Sequence, residues 1–92
     1  MLRQMNKVIS IFDKKTSMRL TNTEWRIIDE ICYNEKLKRK ILFEKIIKHH
    51  NPCLGLTPAI RLFSLSYYYL KSNPHLNHKD IDVIEQSLNE LL

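Results

Sequence analysis

The sequence predicts a mainly α protein with a short N-terminal β ribbon, and three observations carry that reading. Residues 15–20, KTSMRL, alternate polar and apolar, the period of a strand with one covered face. From Trp25 onward apolar residues recur at helical spacing in successive stretches. A single Gly and three Pro supply too few turns for an all-β chain. With 92 residues there is room for one small domain, whose modest core makes outside help expected.

Residues 1–14 read as a basic arm with a weak first strand. Arg3 and Lys7 stand in a polar start, residues 8–12 are apolar with high β propensity, and Asp13-Lys14 supplies a turn. In the extended run that follows, Thr16, Met18 and Leu20 share one face and Lys15, Ser17 and Arg19 the other. The first face can be buried. The second suits a two-stranded ribbon reaching base edges in the DNA major groove, beside the plainer reading of an edge strand with solvated charges. Apart from residues 8–12 the chain offers this strand no obvious neighbour, so its expected partner is the same strand of a second chain.

Thr21-Asn22-Thr23-Glu24 fits a capping box and starts a helix, in which Trp25, Ile28, Ile31 and Cys32 fall on one face. Trp25 is in phase with that stripe and reads as a core anchor. Asn34-Glu35-Lys36 marks a break, after which Lys38-Arg39-Lys40 opens a second helix with Ile41, Leu42, Phe43, Ile46 and Ile47. Three cations at a helix start oppose the macrodipole, so a negative group is expected there, a bound phosphate being one that fits. His49-His50-Asn51-Pro52 stops this helix. Thr57 as N-cap with Pro58 in the first position begins a third, with Ala59, Leu62, Phe63, Ser66, Tyr67 and Leu70 on one face. Tyr67, Tyr68 and Tyr69 cannot all face one way, so at least one ring is expected in solvent. Ser72-Asn73-Pro74 breaks the chain. Residues 77–92 then carry Ile81, Ile84, Leu88 and Leu91 as a narrow stripe that needs a covering surface, a candidate docking or oligomerisation helix.

Charge is divided unevenly. Residues 1–48 hold 12 basic and 6 acidic side chains, whereas residues 49–92 hold 3 and 4, so a polyanionic partner is expected on the N-terminal half. Two cysteines, Cys32 and Cys53, with no secretory pattern and no spanning apolar run, fit a reducing, cytoplasmic setting without a disulfide or a membrane partner. No Gly-rich phosphate loop or nucleophile motif is present, so the chain does not read as an enzyme and implies no cofactor. His49, His50 and Cys53, with His75 and His78 further on, lack the spacing of a zinc site, and no metal is expected.

The order of strand, capped helix, basic turn and second helix resembles the ribbon-helix-helix DNA-binding family. More narrowly, KTSMRLTNTEW and LTPAIRLFSLSYY resemble two motifs of its bacterial subfamily with an added third helix. The likeness runs from about Lys7 to Tyr69. It implies a homodimer that inserts an antiparallel ribbon into the major groove as a transcriptional regulator, for instance a repressor, with extra C-terminal helices. By position it implies base readout by Lys15, Ser17 and Arg19 and phosphate contact by Lys38, Arg39 and Lys40, and Lys14, the cation beside the strand, is expected to contact phosphate as well. The subfamily usually places Gly and then a Ser cap between the helices, where this chain has Lys36 and Lys38. The expected organisation is a basic arm with a weak strand over 1–14, a ribbon-helix-helix domain with third helix over 15–71, and a linker with amphipathic helix over 72–92. The alternative function is an antitoxin-like or assembly protein whose tail helix grips a protein partner, or builds a higher oligomer.

Overall fold

A computed structural model describes residues 3–51, 53–76 and 82–91. It has a two-stranded antiparallel ribbon, β1 (Gln4–Ile11) and β2 (Lys14–Thr21), followed by α1 (Asn22–Glu35), α2 (Arg39–His49), α3 (Leu56–Ser72), a 3₁₀ turn (Pro74–Leu76) and α4 (Val83–Asn89). The fold class is therefore the expected one, mainly helical behind an N-terminal ribbon. The chain forms two compact units, residues 1–45 and 46–92.

In the first unit β2 pairs along its whole length with β1 of the same chain, from Gln4 opposite Thr21 to Ile11 opposite Lys14. One edge of β2 is thus paired within its own chain, by the run that the sequence presents as a weak strand. The first strand is not weak: it begins at Gln4, inside the stretch read as an arm, and is as long as β2. The turn is also displaced by one residue. Phe12 (φ 48°) and Asp13 (φ 63°) form the two-residue loop, and Lys14 already belongs to β2. Two left-handed residues give the twist that a tight hairpin needs, and Asp enters that region at low cost. Phe12 does not, but its N–H donates to the Glu44 carboxylate of α2 at 2.8 Å, which holds the loop.

The capping box at α1 is complete. Thr21 Oγ1 accepts from the Glu24 N–H (3.1 Å), and the Glu24 carboxylate accepts from the Thr21 N–H (2.9 Å). The predicted face is the buried one, with Trp25, Ile28, Ile31 and Cys32 in the core beside Ile9, Ile11, Met18 and Leu20 from the ribbon and Leu42 and Phe43 from α2. The Trp25 ring lies 6.3 Å from that of Phe43, and its Nε1–H donates to the Met5 carbonyl at 3.0 Å, which ties β1 to α1. Lys36 ends α1 in the left-handed conformation (φ 56°, ψ 43°). That is the conformation glycine favours, so the turn between the helices keeps its geometry although a lysine stands there.

In the second unit α3 starts earlier than Thr57. Gly55 is its N-cap, and Thr57 and Pro58 lie within the first turn, where proline's missing N–H is no loss. Its buried residues are Ala59, Ile60, Phe63, Tyr67 and Leu70. Leu62, expected inside, is exposed, and Ile60 takes its place because the inward face is turned by part of a helical step. Tyr69 is 60% exposed and Tyr67 fully buried, as the impossibility of aligning three adjacent rings requires. The C-terminal stripe is not an open docking face. Ile84, Leu88 and Leu91 are buried, α4 lies against α3, and the Asn51 N–H donates to the Leu91 carbonyl at 2.9 Å. The covering surface is thus supplied by the chain itself; Ile81 lies outside the described residues. No described helix is long and apolar enough to cross a membrane.

Candidate nucleic-acid interface

Pairing and pleat together sort the ribbon into two faces. Ile9, Ile11, Met18 and Leu20 point to the core, and all four are buried. The opposite face carries Gln4, Asn6, Val8 and Ser10 from β1, opposite Thr21, Arg19, Ser17 and Lys15 from β2. Except for half-buried Thr21, all of these are exposed. Lys15, Ser17 and Arg19 are therefore brought together on one solvent face, as the alternation predicted. Lys14 is exposed but sits on the other face, beside the tip of the hairpin.

Sequence reasoning missed the β1 half of this surface. The signal was present in the alternation of Asn6, Val8 and Ser10 with Lys7, Ile9 and Ile11, but a run read partly as arm hid it. Arg19 shows the consequence, since its Nε–H donates across the ribbon to Asn6 Oδ1 at 3.3 Å. Val8 is 66% exposed, the one apolar side chain on this face. Lys7 is no free arm residue either: its ammonium lies 5.2 Å from the centre of the Trp25 ring.

The three cations at the start of α2 divide. Lys38 and Lys40 are exposed, with Lys38 accepting the Leu42 N–H at its carbonyl (3.0 Å) as the helix opens. Arg39 instead turns back onto α1, where Nε and a terminal nitrogen both donate to Asp29 Oδ1, the former at 3.2 Å, and its guanidinium lies 5.0 Å from the centre of the Trp25 ring. Asp29 thus supplies part of the negative charge that this helix start requires, since the first turn of α2 has no acid of its own. Burial, with the Asp29 carboxylate nearby, pushes the Cys32 thiol above its ordinary range, and Arg39 partly opposes this.

Among the described residues no group of three or more His, Cys, Asp or Glu side chains is placed to hold a metal ion. What the surface offers is hydrogen-bond donors and positive charge on a ribbon two strands wide. No curated protein and no solved structure matches the chain. The sequence model of the ribbon-helix-helix domain matches residues 4–68, from the first residue of β1 into α3 and across both strands and both following helices. With its motifs, its capped first helix and its two-stranded ribbon in that order, the chain belongs to the ribbon-helix-helix family of DNA-binding domains.

Proposed function

We propose that the protein is a sequence-specific double-stranded DNA-binding protein, a transcriptional regulator that lays the outward face of its ribbon in the major groove. The observation that carries this reading is the shared solvent face of Lys15, Ser17 and Arg19 on a paired strand whose other face is core. A two-stranded ribbon fits a groove about 12 Å wide, and arginine offers the fork that matches guanine O6 and N7. Lys38 and Lys40 supply phosphate contact at the start of α2, with Lys14 at the hairpin tip. Arg39 contributes mainly by fixing that helix start against Asp29 and Trp25. The protein acts as a homodimer, so the same ribbon is offered twice in opposite directions and the preferred site is an inverted repeat.

Selection of bound duplexes from random DNA tests this reading, followed by titration at several salt concentrations and by sedimentation of the free protein. The expected result is a two-fold symmetric site, an affinity falling steeply with salt, about 0.9 in log–log slope per phosphate neutralised, and a dimer. Affinity indifferent to salt, or enrichment of no sequence, refutes it.

A further inference from the structure

We infer that β1 is a second reading strand, so that each chain carries a complete ribbon in which Asn6 and Val8 contact bases alongside Arg19. The inference rests on the DNA-binding reading above and goes beyond it, because the family resemblance assigns readout to β2 alone.

The two-residue loop makes Ile11 and Lys14 a hydrogen-bonded pair, and the alternation of an antiparallel ladder then makes Asn6–Arg19 and Val8–Ser17 non-hydrogen-bonded pairs. The bond from the Asn22 N–H to the Arg3 carbonyl (3.1 Å) continues the same alternation at the far end. Side chains approach most closely in non-hydrogen-bonded pairs, which is why Asn6 Oδ1 reaches the Arg19 Nε–H. That bond occupies Nε and leaves the two terminal nitrogens of the guanidinium as the fork for guanine. It also leaves the Asn6 amide as a pure donor beside the fork, matched to purine N7, guanine O6 or thymine O4 on the neighbouring base pair.

Val8 is the next residue along the same face. A 66% exposed valine among polar neighbours gains little from water, and an apolar side chain in the major groove recognises the 5-methyl group of thymine. Charge favours the hairpin over a ribbon built from two copies of β2. Such a ribbon centred on Ser17 sets Lys15 of one copy opposite Arg19 of the other, and like charges directly opposite are unfavourable. Within the hairpin Arg19 faces Asn6 and Lys15 faces Ser10, both neutral.

The test uses the full chain and its Asn6→Ala and Val8→Ser variants, both at exposed positions and both checked by thermal melting. Each is put through selection from random duplexes and then titrated against the wild-type site with single thymines replaced by deoxyuracil. Wild type should lose about fourfold in affinity at one thymine per ribbon, the worth of burying one methyl group, and Val8→Ser should not respond there. Asn6→Ala should relax preference by about two- to tenfold, the worth of one hydrogen bond, at a base pair adjacent to the one that Arg19 reads. Variants that keep the wild-type preferences overturn this inference and leave readout by β2 standing. Loss confined to the Arg19 base pair makes Asn6 a brace for Arg19 and overturns its base contact. A change from dimer to monomer in Val8→Ser makes Val8 an interface residue and overturns its role in reading thymine. A wild-type chain that selects no sequence overturns both this inference and the function it rests on.

Discussion

Replacing Arg19 by alanine separates readout from simple attraction, and the structure sets the size of both effects. The side chain is exposed, and its hydrogen bond to Asn6 lies in solvent, so the change in folding stability should stay within about 0.5 kcal/mol. If Arg19 reads guanine as proposed, its bidentate contact is worth about 1–3 kcal/mol of discrimination, or roughly 5- to 150-fold for each ribbon. With two ribbons on an inverted repeat the free energy about doubles. Lys40→Ala offers the contrast, because Lys40 is an exposed ammonium at a helix start, and its proposed contact, a phosphate, carries no sequence information. It should weaken cognate and scrambled duplexes by similar factors and lower the salt slope by about one for each phosphate left unneutralised. Fluorescence anisotropy titrations of both variants on both duplexes, at two salt concentrations, measure all four quantities once circular dichroism has shown both to be folded. An unchanged cognate-to-scrambled ratio for Arg19→Ala would refute the placement of readout on β2.

Four further outcomes test the fold that presents this surface. Lys36→Gly removes a left-handed cost of about 1–2 kcal/mol and adds a glycine entropy penalty of about 0.5–1, so it should stabilise by roughly 0.5–1 kcal/mol and raise the melting temperature by a few degrees. A lower melting temperature would contradict the conformation assigned to Lys36. Leu88→Ala should destabilise by about 2–5 kcal/mol in denaturant titrations, because Leu88 is buried between elements of its own chain; a docking helix with an open face would lose almost nothing. Cys53 should be alkylated quickly at neutral pH and Cys32 only on unfolding, as burial and Asp29 raise the Cys32 thiol. The folded state holds that proton more tightly than the unfolded chain. Its contribution to stability is therefore complete below the ordinary thiol value of 9.0 and is lost as pH rises through the folded value, so Cys32→Ala should flatten the alkaline fall in stability.

Much of the molecule was legible in the sequence because the signals are short in range. The Thr21–Glu24 capping box spans one helical turn, the Trp25, Ile28, Ile31 and Cys32 stripe needs only a period, and alternation alone placed Lys15, Ser17 and Arg19 on one side of a strand. Each depends on neighbours a few residues away, which any fold of this chain would keep. The exposed tyrosine followed in the same manner, from the roughly 100° step between successive residues of a helix.

What tertiary structure decided was which surfaces meet. The sequence held two candidate partners for β2, a short apolar run upstream and a copy of itself, and the fold pairs one edge of β2 with the upstream run. The Trp25 indole bond to Met5 and the Glu44 carboxylate on the hairpin loop act over separations of 20 and 32 residues, which no local pattern records. The same holds for Arg39, whose charge was plain but whose commitment to Asp29 and Trp25 required α2 to fold back on α1. It holds equally for the C-terminal stripe: periodicity shows that an apolar face exists, but only packing shows that α3 of the same chain covers it. Burial is a property of pairs of surfaces, and one sequence segment specifies only its own half of each pair.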